Sequence, residues 1–206
     1  MNSDFIDNCI LNAYNLKSNL SNYNSILNIQ GMCGKMTRHL YNNINSFRET
    51  NYLEIGCWKG ASTIASLYKN DHVKATIIDN WTEFSNVRFD FSKNISKYIN
   101  SNLNFQLLNE NCFKLQSKLE YSPYNVFIYD GPHDFTSHKL AIIRFWEYLD
   151  KSCIIIIDDW CWDDVKRGTI QGLQEVGANV VYHKEIVEPL GPDGFWNGCG
   201  IFLIQK

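Results

Sequence analysis

The chain is poor in proline, with 4 in 206 residues, which excludes a polyproline-rich linker or spacer and leaves helices and strands largely uninterrupted. It also lacks a long apolar run. Its most apolar stretch, Cys153-Ile154-Ile155-Ile156-Ile157, is far short of the ~18 to 20 residues that a membrane span requires and reads as a buried strand. The first twenty residues have neither a basic region nor an apolar core and carry Asp4 and Asp7, so no secretory signal is read and a cytoplasmic location is expected. None of the 7 cysteines forms a C-x-x-C pair, which argues against a zinc ribbon and for reduced thiols. There is no surplus of positive charge either: 19 basic against 22 acidic residues leave a net charge of -3, which lacks the electrostatic footprint of a DNA or long-RNA binder.

The composition does supply a core. At 45% hydrophobic and 14% aromatic, a chain of this length can hide roughly 70% of its unfolded surface, as one domain. From Met1 to about Phe47 the spacing of Ile6, Ile10, Leu11 and Tyr14, then of Met36, Leu40 and Ile44, predicts two helices separated at Gly31 and Gly34. This is read as a helical extension, residues 1–47, ahead of a domain spanning 48–206. From there short β-rich runs alternate with amphipathic stretches, predicting strands near 51–55, 73–78, 103–108, 124–129, 153–157, 179–187 and 199–204. Such alternation implies an α/β fold with a mainly parallel sheet covered by helices on both faces. The segment between the last two strands is rich in Gly and Pro and has no helical pattern, so the final strand is expected to return antiparallel as a hairpin.

The segment Tyr52-Leu53-Glu54-Ile55-Gly56-Cys57-Trp58-Lys59-Gly60-Ala61-Ser62 reads as strand, glycine turn and helix start. Gly56 allows a tight turn against a ligand and Gly60 a close approach at the helix N-terminus. The three glycines of the dinucleotide fingerprint are missing, and Glu54 would repel a pyrophosphate but suits an ammonium or hydroxyl. The second strand ends in Asp79-Asn80-Trp81, an acid that can grip two ribose hydroxyls beside an aromatic face for adenine. The fourth strand closes with Asp130-Gly131-Pro132-His133 and the fifth with Asp158-Asp159. Carboxyl ends of parallel strands meet at one edge of the sheet, so Asp130, Asp158 and Asp159 are expected to cluster. Three carboxylates repel one another unless a cation is present, and oxygen ligands favour Mg²⁺, with Mn²⁺ as its substitute.

Glu54, Gly56, Gly60 and Asp79 together resemble the E/D-x-G-x-x-x-G turn and following acid of the class I S-adenosylmethionine-dependent methyltransferases. The resemblance implies a Rossmann-like seven-stranded sheet of order 3-2-1-4-5-7-6 and S-adenosylmethionine as cofactor, with S-adenosylhomocysteine as product. Glu54, Gly56, Gly60, Ser62, Asp79, Trp81 and Asp130 would then contact the cofactor. The segment Gln30 to Asn43 is similar to the one preceding this turn in small sugar and natural-product O-methyltransferases, which would place Met32 and Arg38 beside the methionine end. The spacing of Asp130 from Asp158 and Asp159 resembles the macrocin and mycinamicin type of metal-dependent sugar O-methyltransferases. That resemblance implies a metal on Asp130, Asp158 and Asp159, a sugar hydroxyl as acceptor, and His133 as general base beside Asp130, with His138 as the other candidate. The aromatic segment Leu190 to Gly198 is a candidate acceptor lid, and the N-terminal helices are candidates for pairing in a homodimer.

Three other functions compete. A catechol-type O-methyltransferase also uses metal after strands four and five, although a lysine usually stands as its base where this chain has His133. A methyltransferase-fold scaffold for a glycosyltransferase would have no need of clustered carboxylates. An oxidoreductase would need the pyrophosphate-friendly turn that Glu54 disfavours.

Overall fold

The computed structural model describes residues 1–83 and 87–206. Three helices come first: α1 (Ser3–Tyr14), the single turn α2 (Asn24–Leu27) and α3 (Lys35–Ile44). Strands and helices then alternate as β1 (Asn51–Ile55), α4 (Ala61–Leu67), β2 (Lys74–Ile78), α5 (Val87–Tyr98), β3 (Asn104–Leu108), β4 (Tyr124–Tyr129), α6 (Phe135–Phe145), β5 (Leu149–Ile157) and α7 (Asp163–Glu175). The hairpin β6 (Asn179–Ile186) and β7 (Cys199–Gln205) ends the chain. The seven strands form one sheet of order β3-β2-β1-β4-β5-β7-β6. β1 to β5 run parallel, and β7 lies antiparallel between β5 and β6. The expected fold, order and hairpin are therefore found; the main differences are a β5 that starts earlier, at Leu149, and the extra turn α2.

Strand alternation divides the core. Tyr52, Ala75, Ile77, Val126, Ile128, Ile154 and Ile156 face α1, α3 and α5. Leu53, Ile55, Phe127, Tyr129, Ile155 and Ile157 face α6 and α7. Ile6, Cys9, Ile10 and Ala13 of α1 belong to the first of these clusters, so residues 1–47 close one face of the sheet and share its core. No helix among the described residues is long and apolar enough to cross a membrane.

Arg38 departs from expectation. It is 3% exposed, and its guanidinium donates to the carbonyls of Cys33, Ile26, Leu27 and Ile29 at 2.9 to 3.0 Å. A cationic fork that satisfies four carbonyls pins the segment after α2 to α3. Arg38 thus supports the segment that carries Met32 and does not itself line the cavity at the carboxyl edge of the sheet.

The segment between β6 and β7 is also built differently from a free lid. Lys35 and Met36 donate backbone N–H bonds to the carbonyls of Pro192 and Gly194 at 2.9 and 3.0 Å, and Lys35 pairs with Asp193 at 2.7 Å. Phe195 is fully buried and meets Tyr14 edge-on at 5.1 Å. A Cβ at Gly34 would stand 2.1 Å from the Gly194 carbonyl, so only glycine allows the two backbones to touch. The loop is a clasp between the sheet and the N-terminal helices.

Candidate active site

At the carboxyl ends of β1 to β4 lies a cavity of about 520 Å³, within the ~300 to 1,000 Å³ typical of small-molecule sites. Its first wall is the turn after β1. Gly56 has φ +84°, and a Cβ there would lie 1.8 Å from the Asp130 carbonyl, so glycine alone fits where the ends of β1 and β4 meet. Asp79 closes the turn from the next strand. Its Oδ2 accepts the N–H groups of Cys57 and Trp58, both at 2.9 Å, and its Oδ1 accepts that of Trp81 at 2.7 Å. Trp58 and Trp81 both have left-handed backbones, φ 43° and 47°, a conformation costly for a bulky residue unless its surroundings hold it. The Trp81 indole N–H adds a bond to the Trp58 carbonyl at 2.9 Å, so the two tryptophans brace one another on the pocket wall.

Of the residues singled out in the sequence, Met32, Gly56, Asp79, Trp81, Asp130 and His133 line the cavity. Glu54, Gly60 and Ser62 stand behind it. Glu54 is fully buried and accepts the hydroxyls of Ser62 at 2.5 Å and Thr63 at 2.7 Å. Burial pushes its carboxyl up to about 7 against the pull of those hydroxyls. Gly60 caps α4 in a left-handed conformation, φ 85°, with Phe91 3.0 Å from where its Cβ would be. These three residues shape the turn from within and do not face the cavity.

Sequence reasoning missed Trp58 and the stretch Glu110 to Phe113, which also line it. The latter follows the carboxyl end of β3, where the rule that located Asp79 at the end of β2 would have found it. Among the described residues, no lysine or arginine lines the cavity, whereas Asp79, Glu83, Glu110 and Asp130 do. Lys59, beside the turn, is already bound to Gln30 and Asp90, both at 2.9 Å.

Beyond this cavity the acidic strand ends meet, with one correction. Ligand atoms of Asp130, His133 and Asp159 all lie within 4.8 Å of one another; Asp158 is not among them. Both acids lie just past the end of β5, and their side chains take different partners. Asp158 follows the inward side of Ile154 and Ile156: it is 2% exposed, accepts the Asp159 N–H at 3.0 Å and lies 3.8 Å from the Cys199 thiol. Burial, then the charges of Asp130 and Asp159, hold its carboxyl well above the usual range. Asp159 instead turns back toward α6, with φ 53°.

His133 takes the third place. Its Nε2 lies 2.7 Å from Asp159 Oδ2 and 3.6 Å from Asp130 Oδ1. The carboxylates of Asp130 and Asp159 beside it push the imidazole up to about 10, so in this arrangement it carries its proton at neutral pH. Burial raises Asp130. It also opposes ionisation of Asp159, yet bonds from His133 and Asn197 outweigh it and hold that carboxyl below its ordinary value. Asn197, on the clasp, donates to Asp159 Oδ1 at 2.6 Å. His138, the other candidate base, is buried behind the site among Tyr129 and Thr169 and is lowered to about 4 by that burial. It cannot reach an acceptor.

The likeness to known proteins follows these features. The chain superposes on the O-methyltransferase TomG of Streptomyces achromogenes, solved in complex with S-adenosylmethionine, at 11% identity and TM-score 0.62, covering 100% of this chain and 92% of that one. It is similar to a precorrin-6y C5,15-methyltransferase of Geobacter metallireducens at 13% identity and TM-score 0.62, over 84% and 88% of the two chains. TrmN of Thermus thermophilus is similar at 9% identity and TM-score 0.62 over 91% of this chain, which spans about half of it, 53%. At such identities the likeness is one of fold. A search of curated protein sequences finds no match. The methyltransferase-domain family matches residues 53–160, just over half the chain, from within β1 to just beyond Asp159. The chain belongs to that methyltransferase-domain family.

Proposed function

We propose that this protein transfers the methyl group of S-adenosylmethionine to a sugar hydroxyl, with a divalent cation held at Asp130, Asp159 and His133. The observation that carries the reading is the charge of the cavity, which has four acids and, among the described residues, no lysine or arginine. Such a wall disfavours the phosphates of nicotinamide or flavin dinucleotides and suits a ligand bearing a sulfonium, an ammonium and a ribose diol. Asp79 is the residue for the diol, Trp58 and Trp81 are the faces for adenine, and Met32 stands at the rim. Bound there, the cofactor would supply an electrophilic methyl group.

Two carboxylate oxygens and one imidazole nitrogen are a donor set that first-row divalent ions accept, and the nitrogen moves the preference from Mg²⁺ toward Mn²⁺. The chemistry such an ion would supply is to lower the pKa of an acceptor hydroxyl. What the chain's own residues do follows from their charges. Asp130 joins the two halves, since it lines the cofactor cavity and also faces His133. His133 could take a proton at Nε2 only while that nitrogen is not given to an ion, so with the ion held it would serve as a ligand and not as the general base. Asn197 keeps Asp159 turned to His133 by occupying the other carboxylate oxygen.

The test is calorimetry on protein stripped with a chelator. S-adenosylhomocysteine should bind and NAD should not, and Mn²⁺ should give a separate heat that Asp130→Ala abolishes. Labelled methyl transfer to a panel of glycosides should then require the metal. Binding of NAD in place of S-adenosylhomocysteine would overturn the reading.

A further inference from the structure

Trp162 lies at the edge of the site without any part in the chemistry assigned above. Of the six tryptophans it is the one classed as exposed, at 46%. An indole left in water next to a reactive centre is unusual, because covering it would bury a large apolar face. It is also held in place: its backbone N–H donates to the Asp159 carbonyl at 3.0 Å, and its ring meets that of His133 at 4.8 Å and 74°. The same two residues, His133 and Asp159, belong with Asp130 to the candidate metal group. Trp162 is not part of the cofactor cavity's wall, whereas His133 is, so His133 joins the cofactor cavity to the indole.

We propose that Trp162 is the platform on which the acceptor ring lies, and that this acceptor is a neutral pyranoside. The inference rests on the methyltransferase reading. A hydroxyl presented to His133, Asp130 and Asp159 brings the ring that bears it to within a few bonds of those groups, and the indole is the apolar surface in contact with them. A pyranose has one face of C–H bonds and a polar rim. It therefore needs one aromatic wall and several hydrogen-bonding partners, which Trp162 and the Asp130, His133, Asp159 and Asn197 group provide. A catechol is apolar on both faces and is best held between two apolar walls.

A nucleotide-linked sugar also fits poorly. The cations nearest in sequence on α7 are already engaged, Lys166 with Glu185 at 3.0 Å and Arg167 with Asp163 and Asp164 at 3.4 and 3.7 Å. Among the described residues, neither of these two cations is left unpaired to receive a diphosphate.

The experiment is ¹⁹F NMR on the full chain labelled with 5-fluorotryptophan, with Trp162→Phe identifying the Trp162 resonance. S-adenosylhomocysteine is added first, then methyl glycosides of neutral hexoses and 6-deoxyhexoses, UDP-glucose and catechol in separate titrations. The expected result is that a methyl glycoside moves the Trp162 resonance, and that Trp162→Ala weakens its binding about tenfold while leaving the calorimetric affinity for S-adenosylhomocysteine unchanged. Trp162→Phe keeps a ring and should lose about threefold, which preserves the test should the alanine variant fold poorly. A resonance moved by catechol or UDP-glucose and by no glycoside overturns the proposal, as does unchanged glycoside affinity in both variants. Failure of S-adenosylhomocysteine itself to bind would instead overturn the underlying methyltransferase reading.

Discussion

The carboxylates at the ends of β1 and β2 and those at the ends of β4 and β5 occupy neighbouring positions in the fold and are treated in opposite ways. Glu54 has two hydroxyls donating to it and Asp79 has three backbone N–H groups. Asp130 and Asp159 face one another beside the single imidazole of His133, with one amide from Asn197 on Asp159, while Asp158 is buried behind them with the Asp159 N–H and the Cys199 thiol as partners. In the first half the protein's own donors fix the wall of the cavity before any ligand arrives, so it is preorganised. In the second half Asp130 and Asp159 share a space that one proton on His133 balances incompletely, which is an arrangement that gains by taking up a cation.

The largest effect should come from completing the second half. A divalent ion at about one hundred times its Kd adds about 2.7 kcal/mol to the stability of the state that binds it, which raises the Tm of a chain this size by roughly 5 to 11 °C. Differential scanning of the chelator-treated protein with and without Mn²⁺ measures this gain. Asp159→Asn should abolish it, because one of the three ligands of the group is lost. A wild-type Tm indifferent to Mn²⁺ and Mg²⁺ at millimolar concentrations would break the comparison outright.

This contrast also marks how far the amino-acid pattern could be followed. All seven strands, their antiparallel ending and the turn at Gly56 were legible because each rests on local signals: alternation, a Gly-rich return and a strand that runs into glycine. Asp79 and Asp130 were placed by one topological rule about strand ends, and the same rule applied to β3 reaches Glu110. What failed was orientation and convergence. Asp158 was grouped with Asp159 because both follow β5, and the left-handed turn at Asp159 that goes with their different partners has no local signal in the sequence. Arg38 could not be read at all, since the four carbonyls that receive it come from the single turn α2 and the loop after it, neither of which has a periodicity to follow. His138 failed for a similar reason: its burial follows from the close packing of α6 against α7, where Gly168 brings the two helices together.

A smaller effect, in the acidic window below about pH 7 where Glu54 and the buried histidines pull stability in opposite directions, tests whether Glu54 is the protein's own internal group. Its pKa rises on folding from 4.5 to about 7, so its contribution is full below the unfolded value and is lost as pH climbs through 7. His39 and His138 behave inversely: burial lowers both from 6.5 to about 4, so stability is lost as pH falls from 6.5 toward 4. Glu54→Gln removes only the first of these. Between about pH 5 and pH 8 the variant should therefore gain about 2 kcal/mol relative to wild type, read from paired denaturation curves. A difference between the two proteins that does not change with pH would mean that Glu54 titrates in the folded state as it does in the unfolded chain.

The smallest change sharpens the comparison most, because it acts on one half alone. Asp79→Asn leaves a single carbonyl oxygen where a carboxylate now accepts the N–H groups of Cys57, Trp58 and Trp81. At least one of those charge-assisted bonds is lost, at a cost of about 1 kcal/mol. The left-handed backbones of Trp58 and Trp81 then lose part of what holds them, and S-adenosylhomocysteine should bind about tenfold more weakly by calorimetry. The Mn²⁺-dependent rise in Tm should survive, since Asp79 is outside the group formed by Asp130, His133 and Asp159. Asp159→Asn should show the reverse, losing the response to metal while keeping the affinity for S-adenosylhomocysteine. If Asp79→Asn lost both, the two halves would be one coupled site joined through Asp130, whose backbone carbonyl abuts Gly56 and whose side chain faces His133.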